Sequence, residues 1–271
     1  MSYKTLGTLE IVHTTNSYSP GGTKMRQVLA LLLVNANTVV GTDAIIDELW
    51  RDSPPRSVAT TLQTYVYQLR KAFRSEFPGH PIGGALRTRS PGYTIAVPHD
   101  QVDANAFERL AREGRALFDR GRPADAHARL CAALDLWRGE FLENVPHGRR
   151  LHSHAVLLDE LRVETLQLKI AAEMRLGRNR EAISELRTLT ERHPLNEWFY
   201  GQLMCALSRA GRRGEALQVY QRLRTTLDRE LGLEPSAEIK RFHVGILRDD
   251  ERLRDPGPTV SALDIAAIGR F

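Results

Sequence analysis

Several things a chain of this size could carry are missing. Only two cysteines occur in 271 residues, Cys131 and Cys205, each inside a helical pattern and with no CxxC pair. That spacing argues against a disulfide framework or a zinc site and points to a reducing cytosol. The N-terminus, MSYKTLGTLE, holds no apolar signal core, and the longest apolar run, Val28 to Val34, is far too short to cross a bilayer. PGGTK, at Pro20 to Lys24, lacks the GxxxxGK[ST] spacing of a phosphate loop and reads as a turn before a helix. His147, His152 and His154 crowd one stretch without a nearby Cys or an HExxH pattern, so no metal is expected there. Neither a Ser/His/Asp set nor a paired-carboxylate arrangement stands out. The expectation is a soluble cytoplasmic protein with no catalytic residues, no metal and no cofactor.

The most telling absence is negative charge in one place. TTLQTYVYQLRKAFR, from Thr60 to Arg74, contains no acid. Leu62, Val66, Leu69 and Phe73 recur at helical spacing and predict one buried stripe. Between Arg56 and Arg89 there are six basic residues and a single acid, Glu76, a local excess of +5. The whole chain is also +5, so the remainder is neutral. A basic patch on a neutral body suits a polyanion, nucleic acid first. The bland alternative is a solvated basic face that only holds a small domain together.

The surrounding pattern favours recognition. Tyr3 to His13 alternate loosely around Gly7 and predict a small sheet. A helix follows from about Thr23, a plausible cap, through Leu33. TVVGT reads as a short strand, and Thr42 as the cap of DAIIDELW. Pro54-Pro55 breaks the chain before a long helix that starts near Arg56. ALRTRSPGYTIAV predicts a hairpin around Ser90-Pro91-Gly92. This order is that of a winged helix-turn-helix, with the hairpin as wing. In it Thr60, Gln63, Thr64 and Tyr67 are expected to face bases, and Gln68 to serve bases or phosphates. Arg70, Lys71 and Arg74 are expected at phosphates, with Lys24 and Arg26 beside them. Arg87 or Arg89 is expected at the minor groove or its phosphates.

From about Val102 the pattern is almost wholly helical, with seven or eight helices expected as antiparallel pairs. GRPADA (121–126), GRNREA (177–182) and GRRGEA (211–216) repeat one another, and the last two lie at the tetratricopeptide period. In each, Gly ends one helix and Ala lets the next pack closely. One extra helix or a long loop is expected around FLENVPHGRRLHSHA. Trp137 and Trp198 are expected in the core. The Pro- and Gly-containing tail from 251 to 271 is expected to be loose. Such helical arrays present a concave face to a partner protein or to another copy.

These residues resemble the Streptomyces antibiotic regulatory protein family, transcriptional activators of secondary-metabolite gene clusters in actinobacteria. The resemblance covers about residues 3 to 248. Its carriers are LGTLEI, KMRQVLALLLVNANTVV, DAIIDELW with RDSPPRSVATTLQTYVYQLRKAF, and RSPGYTI. In the second half they are VDANAFERL, ALDLWRGE, LDELRVETLQ, HPLNEWFYGQLMCALSRAGRRGEALQVYQRLRTTLDRELGLEPS and LRDDERL. The resemblance implies an OmpR-like winged-helix domain over 1–100, α+β in class. It implies an all-α, tetratricopeptide-like bacterial transcriptional activation domain over 101–250. The family's recognition helix would fall on Arg56 to Arg74 and its wing on Leu86 to Val97. Its basic LRK positions would be Arg70 and Lys71, and many members carry Arg where this chain has Gln68. The resemblance further implies binding to direct repeats in double-stranded DNA near the promoter −35 region, side by side as a homodimer. It implies recruitment of RNA polymerase through its sigma factor, on the nucleoid. Larger members add a nucleotide-hydrolysing domain; this chain stops before one could begin, so no ATP dependence is expected. The competing reading is a protein-binding scaffold whose winged helix does not bind DNA.

Overall fold

The computed structural model describes residues 1–14 and 16–250, so the tail expected to be loose, 251–271, lies outside the described residues. The chain opens with a three-stranded antiparallel sheet of β1 (Ser2–Lys4), β2 (Glu10–His13) and β3 (Asn16–Tyr18), in that order. Tyr3 pairs with Ile11, and both side chains are buried. The third strand was not foreseen. Asn-Ser-Tyr has no apolar alternation, and the strand sits at the sheet edge with its first two residues exposed. Backbone pairing with β2 makes it a strand, and that leaves no hydropathy signal.

Next come α1 (Thr23–Val34), β4 (Val40–Gly41), α2 (Thr42–Trp50) and α3 (Val58–Glu76). A turn of 3-10 helix, Pro81–Gly84, leads into β5 (Leu86–Arg89) and β6 (Gly92–Ile95). The second sheet has the order β4-β6-β5, all antiparallel. Seven consecutive residues of α1, Gln27 to Leu33, are buried, as befits a helix apolar on nearly every side. It packs against α2, α3 and β6 and is the centre of the winged helix.

Two expected caps are displaced by one residue. The N-cap positions are Gly22 and Gly41, and Thr23 and Thr42 are the first helical residues. A threonine already inside the helix cannot turn its hydroxyl onto the amides ahead of it. The Thr42 hydroxyl instead donates to the Pro91 carbonyl at 3.0 Å, and its N–H does so at 3.1 Å, tying the wing turn to the start of α2. The long helix starts at Val58 rather than at Arg56, after a turn closed by Val58 N–H on the Pro55 carbonyl.

The remaining described helices are α4 (Asp103–Asp119), α5 (Pro123–Leu134), α6 (Arg149–Arg175), α7 (Asn179–Arg192), α8 (Glu197–Arg209), α9 (Arg213–Leu231) and α10 (Ala237–Leu247). The chain forms two compact units. One comprises Met1–Glu113 and Arg129–Thr165; the other comprises Gly114–Ala128 and the described chain from Leu166.

In the first unit, buried carboxylates join distant segments. Asp103 accepts from Thr5 N–H and Thr5 Oγ1, both at 2.7 Å, and from Leu6 N–H at 3.2 Å. The stretch between α5 and α6 is a long loop, one of the two forms expected there. Its backbone meets the connection between β1 and β2 through Arg138 N–H to the Leu6 carbonyl (2.8 Å) and Leu142 N–H to the Thr5 carbonyl (2.9 Å). His147 and His154 of the histidine-rich stretch pack on Phe141, with ring centroids 5.8 and 5.4 Å away, while His152 is exposed. Trp137 meets Phe107 edge-on at 5.4 Å.

The second unit is a stack of helical hairpins. Its three GR turns are structurally the same: Gly121, Gly177 and Gly211 have φ of 71°, 73° and 74°. In each, the following Arg N–H reaches back to a carbonyl of the last helical turn: Arg122 to Leu117, Arg178 to Glu173, Arg212 to Leu207. This is a Schellman ending, which the missing Cβ of Gly permits at no strain. Ala126, Ala182 and Ala216, five residues on, are completely buried. Trp198 is buried in α8 as expected. Neither cysteine forms a disulfide among the described residues, and burial pushes the Cys205 thiol pKa up.

Candidate nucleic-acid interface

The face of interest is built on α3. Its buried stripe is the one the spacing requires: Leu62, Val66, Leu69 and Phe73, each no more than 1% exposed. Trp50 at the end of α2 stacks along Tyr65 with ring centroids 6.3 Å apart, fixing the approach of the two helices. The opposite face shows Thr60, Gln63, Thr64, Tyr67, Gln68, Lys71 and Arg74, all exposed. Their spacing of three and four residues makes one continuous strip, and no carboxylate interrupts it before Glu76. Tyr67 stands in the middle, 65% exposed. An aromatic ring this open, with a hydroxyl at its tip, has apolar area and a polar group to offer a ligand. Thr64 already donates its hydroxyl to the Thr60 carbonyl at 2.9 Å. Its methyl and its second lone pair remain for a contact. Among the described residues, Lys71 and Arg74 form no ion pair or hydrogen bond, so their charges face solvent uncompensated.

The wing stands beside this strip in the same unit. Arg87, Thr88 and Arg89 of β5 are exposed, and strand alternation puts both arginines on one face and Thr88 on the other. Arg87 Nε donates to the Gly84 carbonyl at 3.3 Å. The wing turn is held at its base: Gly92 opposes Gly41, and a Cβ at Gly92 would lie 1.9 Å from the Val40 carbonyl oxygen.

Three of the predicted phosphate ligands are engaged inside the protein. Lys24 Nζ donates to the Leu49 carbonyl and lies 5.7 Å from the Trp50 ring centroid, and burial lowers its pKa. Arg26 Nε donates to the Asn144 carbonyl at 3.0 Å and Nη1 to the Pro20 carbonyl at 2.9 Å. Arg70 is half-buried, with Nε on the Leu86 carbonyl at 3.0 Å and Nη2 on Thr88 Oγ1 at 2.9 Å. Charge and position suggest phosphate for all three in the sequence. Carbonyl partners are invisible there, because each pair is far apart along the chain or is formed by backbone. The same holds for Thr88, which sequence reasoning did not single out, and for Thr42, which it read only as a helix cap; both hold the wing in place.

This arrangement is matched by comparison with known proteins. Residues 20–95 fit the model described as "Transcriptional regulatory protein, C terminal", and residues 102–247 fit "Bacterial transcriptional activator domain". The fold and its exposed basic strip thus define a two-part regulator of transcription, a winged helix followed by an activator domain. The chain belongs to the Streptomyces antibiotic regulatory protein family. It is 41% identical to "Regulatory protein DnrI" of Streptomyces peucetius over 271 residues, covering 99% of this chain and 100% of that one. It is 36% identical to "Transcriptional regulator RedD" of Streptomyces coelicolor, covering 90% of this chain and 71% of the relative. Among solved structures it resembles Mycobacterium tuberculosis EmbR, determined in complex with a low-affinity phosphopeptide. The TM-score is 0.85 at 31% identity, over 97% of this chain and 70% of that one. No helix among the described residues is long and apolar enough to cross a membrane.

Proposed function

We propose that the protein is a sequence-specific, DNA-binding transcriptional activator of a secondary-metabolite gene cluster, acting in the cytoplasm on the nucleoid and without enzymatic activity or cofactor. The observation that carries this reading is the acid-free strip of α3, exposed along its length beside a wing with two exposed arginines. The division of labour follows domain order. Residues 1–100 bind DNA, and the helices of 101–250 offer surfaces to RNA polymerase, including its sigma factor. α3 lies in the major groove, where Gln63, Tyr67 and Gln68 meet base edges and the Thr60 and Thr64 methyls meet apolar base atoms. Lys71 and Arg74 neutralise phosphates at the far end of the helix, and Arg87 or Arg89 reaches the adjoining minor groove or its backbone. Lys24 and Arg26 are left out of this set, because protein carbonyls already hold them. Two copies side by side would read direct repeats near a −35 element.

The test is a mobility shift of the full chain on promoters carrying direct repeats, in graded salt. Steeply salt-dependent binding that one repeat sequence outcompetes is expected. The absence of a shift on any such duplex at low salt would leave the helical units as a protein-binding scaffold and would end the DNA-binding reading.

A further inference from the structure

Arg70 is the first cation of α3, between the base-facing strip and the phosphate-facing end of the helix. Its guanidinium nevertheless points across to the wing. Nε takes the Leu86 carbonyl at 3.0 Å and Nη2 takes Thr88 Oγ1 at 2.9 Å. Both acceptors lie on β5, the outer strand of the β4-β6-β5 sheet, two residues apart. Only a planar fork with several fixed donors fits two acceptors spaced that way; an ammonium on a flexible stem does not hold both in one geometry. The other side of the wing is tied separately, by Thr42 to the Pro91 carbonyl. The hairpin is therefore held from two directions. With Thr88 drawn toward α3, strand alternation presents Arg87 and Arg89 on the opposite face.

We infer that Arg70 is a positioning residue, a brace that sets the wing arginines relative to α3, and not one of the phosphate contacts. The inference rests on the DNA-binding reading for its consequence but not for its geometry. The brace fixes the distance between two separate anchors on one duplex. Its loss costs affinity through disorder of the wing and removes no counterion-releasing contact.

Two measurements separate the brace from the reading it rests on. Hydrogen exchange of the free full-length chain needs no DNA. Arg70→Ala and Thr88→Val should each speed exchange at the amides of 86–95, and the double substitution should add little to Arg70→Ala, which already removes both bonds. Unchanged exchange at those amides overturns the brace, whatever the protein binds. The second measurement uses a duplex that the wild-type chain selects from a random-sequence pool, titrated over a range of salt concentrations. Arg70→Ala should weaken binding about tenfold, with the salt slope unchanged. Arg70→Lys, which keeps the charge, should not restore it. Hydroxyl-radical protection at saturating protein should persist on the wing-side flank as well as where α3 lies, because the wing still makes its contacts once it is ordered on DNA. A slope that falls by about 0.9 on Arg70→Ala, or full rescue by lysine, makes Arg70 a phosphate ligand and overturns the inference. If the wild-type chain selects no duplex, the DNA-binding reading fails, and the exchange result alone decides the brace.

Discussion

The carboxylate of Glu48, at the end of α2, accepts the backbone N–H of Arg150 at 2.7 Å, across 102 residues of sequence. It also accepts Leu151 N–H at 3.3 Å. Both amides belong to the first turn of α6, whose N–H groups have no partner within the helix. Glu48 is 1% exposed, so the cap's acceptor is buried, and a carboxylate suits the positive end of the helix. Gly148 makes room for it: a Cβ there would lie 2.5 Å from the Glu48 carboxyl carbon. Glu48→Ala leaves the Leu151 amide buried and unpaired and the Arg150 amide without its cap, and should cost about 2 kcal/mol by urea denaturation. Glu48→Gln, which keeps one acceptor oxygen, should cost roughly half as much. A loss below about 0.5 kcal/mol in the alanine variant would show that water replaces the cap.

Gly92 supports a second stability prediction. Any side chain there drives a Cβ into the Val40 carbonyl, 1.9 Å away, and backbone cannot yield as a flexible side chain would. Gly92→Ala should destabilise the winged helix by about 3 kcal/mol or more, read as a lower thermal midpoint of the first unit. Gly211→Ala is the contrasting case. Nothing lies within 4 Å of its added Cβ, and φ is +74°. Only the left-handed backbone opposes it, at a cost of about 1 kcal/mol. Equal losses at the two positions would contradict this separation of clash from strain.

Alkaline pH probes the sheet. Burial pushes the Tyr3 phenol from its ordinary 10.0 up to about 12. Below pH 10 the phenol is neutral in both states, and its contribution is fully present. Between 10 and about 12 the unfolded chain loses the proton and the folded chain keeps it, so stability falls as pH rises. The loss amounts to about 2–3 kcal/mol at the upper end of that window. Tyr3→Phe should lack this decline. If denaturation curves of the two proteins stay parallel from pH 9 to 11.5, the phenol does not titrate as stated.

On DNA, the exposed strip predicts two kinds of defect. Lys71→Ala and Arg74→Ala should each weaken binding on every sequence and lower the salt slope by about 0.9. Gln63→Ala and Tyr67→Ala should leave the slope alone and alter which base is preferred at one or two positions, each by about 1–3 kcal/mol. Selection from randomised duplexes at two salt concentrations checks both. Uniform weakening by Gln63→Ala would remove it from the base-reading set.

Much of the molecule was legible before any coordinates. The stripe Leu62-Val66-Leu69-Phe73 is periodic, so its burial and the exposure of the opposite strip follow from helix geometry. The GR turns were legible for the same kind of reason, because a left-handed residue demands Gly and the demand repeats. The strand Asn16–Tyr18 was not, since edge pairing needs backbone and little else. The displaced caps at Thr23 and Thr42 fall below the resolution of pattern, where one residue decides whether a hydroxyl can reach an amide.

By itself, then, the sequence determined the order of elements, the buried stripes and the excess of positive charge between Arg56 and Arg89, because these depend on neighbours a few residues apart. Only the tertiary structure decided which of the predicted phosphate ligands are free. Lys71 and Arg74 face solvent, while Lys24, Arg26 and Arg70 are taken up by carbonyls and a hydroxyl that the fold brings to them. A buried or half-buried cation must find an acceptor, and which acceptor it finds depends on how distant segments meet in space.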